Sequence, residues 1–133
     1  MSDIVLSLVQ DKSVTLEVPQ GVGYEIALGW GNPDGTPLDG FADFAFFSQI
    51  RTGTREEKGR LVHEFSLAAD PQGSKYAIDP AAAETVFYVS DELAAAMPPL
   101  ESYFFEVKML LSGNPVHKFV AELKPVADYA VEQ

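Results

Sequence analysis

Apolar and polar residues alternate with a period of two along most of the chain, the pattern of strands that bury one face and expose the other. After a first apolar run from Ile4 to Val9, Val14, Leu16 and Val18 alternate with Ser13, Thr15 and Glu17, and Pro19-Gln20-Gly21 ends that strand. Tyr24, Ile26, Leu28 and Trp30 share the next face, opposite Glu25, Ala27 and Gly29. From Gly31 to Gly40 the chain is dense in Gly, Pro, Asn and Asp, which predicts a long loop. Phe41 to Thr52 then reads as a strand, with Ala42, Phe44, Phe46 and Ile50 inward and Asp43, Ala45, Phe47, Gln49 and Arg51 on the other side. A charged loop from Gly53 to Gly59 leads to a strand expected to turn Leu61, His63, Phe65 and Leu67 inward, with Val62, Glu64 and Ser66 outward and Asp70-Pro71-Gln72-Gly73 closing it.

Two short strands follow, around Lys75 to Asp79 and Glu84 to Val89, joined by Pro80 and three alanines that could instead form a helical turn. Ser90-Asp91-Glu92-Leu93 is a helix start, because a serine hydroxyl can cap a free backbone N–H and the two acids complement the positive end of the helix dipole. The helix is expected over 91–97, stopped by Pro98-Pro99. From Ser102 the alternation is clean, with Tyr103, Phe105, Val107, Met109 and Leu111 inward and Glu106 and Lys108 outward. Gly113-Asn114-Pro115 reverses the chain, and Phe119, Ala121 and Leu123 return inward. Eight or nine short strands with one short helix predict an antiparallel β-sandwich, held by one inter-sheet core of Trp30, Phe44, Phe46, Phe65, Tyr103, Phe105 and Val107. A single domain over 1–133 is expected, with short extensions at 1–12 and 125–133.

Composition agrees and narrows the function. A chain of 133 residues, 47% hydrophobic and 22% charged, suits one core. It contains no cysteine, which removes disulfides, thiol catalysis and Cys-ligated metals. Nine Lys and Arg against twenty Asp and Glu leave a formal charge of −11, a surface that repels phosphate backbones and anionic lipid heads. Neither nucleic acid nor a membrane is expected as partner. The start, MSDIVLSLVQ, has neither the basic region nor the long apolar run of an export signal.

Candidate chemistry is sparse. The nucleophile-elbow, zinc-protease, phosphate-loop and dinucleotide motifs are all missing, so no enzyme, cofactor or metal site is expected. His63 and His117 fall on the core side of a strand or near its end, and alternation sends Glu64 to the opposite face, so packing explains the histidines better than metal binding. Asn32, Asp34 and Asp39 offer oxygens in the long loop, but their spacing misses the calcium-loop pattern and Asn-Pro-Asp-Gly is a good turn in its own right. Glu56-Glu57 and Asp91-Glu92 are accounted for by solvation and by capping. The sharper anomaly is surplus apolar surface. Phe47 and Phe104 point away from the core faces, and Leu110 and Val120 share that outward tendency; long connections covering them is one explanation, a subunit interface the other.

The stretch from Trp30-Gly31-Asn32-Pro33-Asp34-Gly35-Thr36-Pro37-Leu38-Asp39-Gly40-Phe41, followed by a strand ending Gln49-Ile50-Arg51, resembles a small β-sandwich module of tailed bacteriophages. Ser90 to Pro99, followed by Tyr103-Phe104-Phe105-Glu106-Val107 and a Gly-containing hairpin, resembles that module's second half. The module is similar to the N-terminal domain of baseplate upper proteins, and the likeness covers roughly residues 14–125. It implies an immunoglobulin-like sandwich and a non-enzymatic virion structural protein: an adaptor or anchor in the tail or baseplate, or a fibre attachment. Its partners would be other copies of itself, as a homo-oligomer, and other virion proteins, and its location the virion, assembled in the host cytoplasm.

A solitary copy could equally be a capsid decoration or head-fibre protein. The competing class is a carbohydrate- or host-surface-binding sandwich using Trp30 or Tyr24 as a stacking platform, although alternation buries both. Subunits this negative repel one another, so assembly through apolar residues is expected to strengthen with salt.

Overall fold

The alternation becomes nine strands among the described residues, which are 2–32, 34–53, 56–67, 73–99 and 101–126 of this computed structural model. They are β1 (Ser2–Ser7), β2 (Lys12–Pro19), β3 (Tyr24–Gly29), β4 (Ala45–Gly53), β5 (Lys58–Phe65), β6 (Tyr76–Asp79), β7 (Glu84–Val89), β8 (Tyr103–Leu111) and β9 (Asn114–Val126), with one short helix, α1 (Asp91–Ala95). Sheet order is β1-β3-β7-β6 in one layer and β2-β9-β8-β4-β5 in the other. Sequential strands keep switching layers, which gives the A-B-E-D and G-F-C order of an immunoglobulin-like sandwich with added edge strands.

Facing side chains of the two layers make one aromatic core. Phe105 on β8 meets the rings of Phe65, Phe87 and Phe119 edge-on, at centroid distances of 5.8, 5.2 and 6.3 Å. Trp30 lies against Phe46 and gives its indole N–H to the buried Thr85 hydroxyl at 3.0 Å, so the one polar handle of this large ring is satisfied. At the corner between α1 and β8, Tyr103 donates its hydroxyl to the Pro98 carbonyl at 3.1 Å, the tyrosine corner of immunoglobulin-like domains. Ser90 caps α1 as expected, accepting from Leu93 N–H at 3.2 Å.

Several expectations need correction. The strand assigned to Phe41 onward begins at Ala45. Gly40, left-handed at φ 66, starts a 3-10 turn over Phe41–Asp43 that buries Phe41 against Phe44 and Phe46 and leaves Ala42 exposed. Phe44 is accordingly only partly buried, packed on the rim of the core. In β5 the register against β4 shifts between Ile50 and Arg51, so Leu61 turns out while Val62 packs inward. Leu67, also expected inward, is exposed.

Of the expected extension 1–12, residues 2–12 are not an appendage. β1 is an edge strand parallel to β3, and left-handed Leu8 and Asp11 bend the chain across to β2, which runs parallel to β9. The sandwich is thus antiparallel except at these two pairings. Pro125 and Val126 still belong to β9, opposite Val18 and Pro19. The helix stops at Ala95, short of residue 97, and the alanine segment forms a hairpin turn with Ala83 buried at φ 52. The β8–β9 hairpin turns at Ser112 and Gly113, both left-handed at φ 54 and 83, one residue earlier than Gly113-Asn114-Pro115 suggests. Two consecutive positive φ values make the two-residue turn whose twist matches paired strands, and Gly113 adopts it without a Cβ penalty. The Asp70–Gly73 turn, Pro33 and the tail beyond Val126 lie outside the described residues, Gly73 apart.

Candidate interaction surface

Strand pleating decides which side chains meet on the outside of the five-stranded sheet. Tyr103, Phe105, Val107 and Met109 of β8 fill the core, so Phe104, Glu106, Lys108 and Leu110 emerge on the opposite face. Register then lines them up with their neighbours. Phe47, Lys108 and Lys118 form one row across β4, β8 and β9; Gln49, Glu106, Val120 and Ser13 form the next; and Arg51, Phe104, Glu122 and Thr15 the one after. Leu110 pairs with Ala45 on one side and Pro115 on the other. All four residues singled out from the sequence therefore share one face, drawn from three adjacent strands.

Their exposure differs from what the pattern suggested. Phe104 and Val120 are only 4% and 6% exposed, although neither joins the inter-sheet core. They lie on the inner strands β8 and β9, and Phe104 stands in register between Arg51 and Glu122. Two shallow hollows flank the pair, of about 350 Å³ with Thr15, Glu56 and Glu122 at the wall and about 360 Å³ with Lys12, Glu106 and Lys118. Phe104 and Val120 are thus the floor of the face, and half-buried Phe47 and Leu110 are its accessible apolar part.

The rest of the face is charged and ordered. Lys108 Nζ sits 5.9 Å from the centroid of the Phe47 ring, within range of a cation–π contact. Arg51 donates from Nε to Gln49 Oε1 at 3.1 Å and from Nη1 to the Gly59 carbonyl at 3.3 Å, and Gln49 passes the chain on by donating to Glu64 Oε1 at 3.0 Å. This polar ladder borders exposed Leu61, which pairs with Arg51 at the β4–β5 end, while Phe47 and Leu110 supply accessible apolar area at the other end.

Of the other candidates, Glu56 and the His117–Asp11 pair border this face, and they do not gather into one site with the rest. His63 is half-buried, its ring edge-on to Phe65 at 4.8 Å and its Nε2 2.7 Å from the Ser74 carbonyl oxygen. His117 pairs through Nδ1 with Asp11 Oδ2 at 3.1 Å, tying β9 to the bend between β1 and β2. In the long loop Asp34 Oδ1 accepts from the Thr36 amide at 3.0 Å and from its hydroxyl at 2.7 Å, and Asn32 donates to the same hydroxyl at 3.0 Å. Those bonds hold the Asp34 carboxyl below its ordinary range, the Thr36 hydroxyl contributing most. Asp91 accepts from Gly23 N–H at 2.7 Å, a structural link from α1 to the start of β3. Trp30 and Tyr24 are 1% and 0% exposed, which removes them as a sugar-stacking platform.

A second surface, not evident from alternation, is the outside of the four-stranded sheet, where Val5, Ala27, Val86 and Ala77 are aligned across four strands. Small residues at outward positions were the available signal, but only register shows that they are collinear. Fold and surface together define an immunoglobulin-like β-sandwich with two well-formed outer sheet faces. Comparison with protein-family models and with curated proteins finds no match to this chain.

Proposed function

We propose that this chain is a non-enzymatic structural protein of a tailed-phage virion, an adaptor or anchor that works by adhering to copies of itself and to other virion proteins. One observation carries the adhesive part of the reading: Phe47, Phe104, Leu110 and Val120 converge on a single outer face instead of scattering over the surface. The phage assignment draws on the sequence resemblance over roughly residues 14–125 and on the agreement between the immunoglobulin-like sheet order and the architecture that resemblance implies.

Analytical ultracentrifugation over a concentration series tests adhesion, and crosslinking with mass spectrometry on purified particles tests the virion setting. The expected result is concentration-dependent association of the wild type, weakened in Phe47→Asp and Leu110→Asp while near-UV circular dichroism is unchanged. A monomer at every concentration and salt, with no crosslink to a virion protein, would overturn the proposal. Specific retention on a glycan array would favour the sugar-binding class instead.

A further inference from the structure

The outer face of the four-stranded sheet carries an apolar row beside acidic residues. Val5, Ala27, Val86 and Ala77 form a straight row across it, with Val5 66% exposed at one end and the others half-buried. Gly29, Glu84 and Asp79 form the row alongside. The strands of this sheet contain four acids (Asp3, Glu25, Asp79 and Glu84) and no Lys or Arg. Strands of the five-stranded sheet contain seven Lys or Arg against four acids. On the outer face of the five-stranded sheet, however, register places Arg51, Lys108, Lys118 and Lys124 beside Glu17, Glu64, Glu106 and Glu122, so these charges balance there while the strands of the four-stranded sheet carry acids alone.

Within that balanced face the cations are concentrated in one row. Lys108 and Lys118 stand directly opposite each other on β8 and β9, an arrangement unfavourable for like charges on its own. Among the described residues neither has a carboxylate within ion-pair distance. Beside them lie the accessible apolar groups Phe47 and Leu110. What would complete this surface is an apolar strip edged by carboxylates, and the four-stranded sheet of another copy carries one.

We infer that copies of this chain associate head to tail, the acidic four-stranded face of one copy resting on the Phe47–Lys108–Lys118 face of the next. The inference rests on the reading that the chain adheres to itself, and it names the partner surface. Because the two faces differ, the contact is heterologous and propagates into a ring or a filament, not a closed two-fold dimer. Four strands ~4.8 Å apart and about six residues long make a face of roughly 20 by 20 Å. Such a contact covers on the order of 800 Å² over both partners, below the ~1,200 Å² of a stable isolated interface. One contact is weak, and repetition along the stack strengthens it. Complementary charges within a Debye length of ~8 Å are screened by added ions, so association through these faces weakens with salt. Net charge alone gives the opposite sign.

The test is ultracentrifugation of the full chain at high protein concentration, at low and at ~0.5 M salt, using two charge reversals. One variant carries Asp79→Lys with Glu84→Lys, the other Lys108→Glu with Lys118→Glu. Each alone is expected to associate at least about tenfold more weakly than wild type, since every stacked contact then opposes like charges. An equimolar mixture is expected to recover association, because each reversed face meets its complement on the other variant. Asp79 Oδ1 also accepts from Ala82 N–H at 3.3 Å, so Glu84→Lys alone is the control that leaves this turn intact, with circular dichroism confirming the fold.

Wild type that associates but is indifferent to both reversals, or variants that fail to recover on mixing, would overturn the stacking while leaving self-adhesion standing. Wild type that stays monomeric throughout would overturn self-adhesion and the stacking with it.

Discussion

Replacing Phe105 with Ala tests whether one aromatic core joins the two layers. The ring is fully buried and meets Phe65 at 70°, Phe87 at 82° and Phe119 at 76°, so its edges and faces engage rings from β5, β7 and β9. Phe87 belongs to the opposite sheet, and truncation therefore opens a cavity at the seam between the layers. Large-to-small substitution of a buried phenylalanine costs about 3–5 kcal/mol. Edge-to-face pairs add roughly 0.5–1.5 kcal/mol each beyond area burial, which moves this site to about 4–5 kcal/mol.

With an unfolding entropy of about 2.1 cal/mol/K per residue, the chain unfolds with ~280 cal/mol/K, so Tm should fall by roughly 15 °C. Thermal and urea unfolding followed by near- and far-UV circular dichroism measures both quantities. Phe47→Ala, on the outer face, is the comparison and should cost no more than ~1 kcal/mol. A Phe105→Ala loss as small as that of Phe47→Ala would refute the single-core account.

Two further outcomes follow from buried hydroxyls. Ser48 faces the core from β4, opposite Val107 and Phe65, and its Oγ has no hydrogen-bond partner among the described residues. Ser48→Ala should therefore leave stability unchanged or raise it by up to ~1 kcal/mol in urea unfolding, and a loss above ~1 kcal/mol would mean that the hydroxyl is satisfied. Burial pushes the Tyr24 hydroxyl well above its ordinary range, and Tyr76 and Tyr103 in the same direction. Because the unfolded chain ionises these groups near pH ~10 while the fold keeps them neutral, their contribution is complete below that pH and is lost as pH rises through and beyond it. Tyr24→Phe should flatten the alkaline decline in urea midpoint between about pH 9 and 11; an unchanged slope would show that Tyr24 does not supply it.

Much of this architecture is local and so was legible in the chain. Pleating alone sends successive side chains to opposite faces, and that separated Phe105 from Phe104 and Ala121 from Val120 without knowledge of any partner strand. The Ser90 cap depends on a hydroxyl and an amide three residues away, again a local relation. For the same reason the outward phase of Phe47, Phe104, Leu110 and Val120 could be read from β4, β8 and β9 one strand at a time.

What the tertiary structure decided depends on residues distant in sequence. Phe104 reads as exposed from the alternation of β8 alone, yet it is 4% exposed on the outer face of the folded sheet. Val5, Ala27, Val86 and Ala77 look unremarkable in four separate segments and become a strip only when β1, β3, β7 and β6 are laid side by side. The bulge that turns Leu61 out belongs to the pairing of β5 with β4, and the 3-10 turn is what seats Phe41 against Phe44 and Phe46. Alternation is a property of one backbone and survives in the sequence, whereas register, shielding and the charge of a whole face arise only when strands pair, since each sums contributions from segments as distant as Ser13 and Val120.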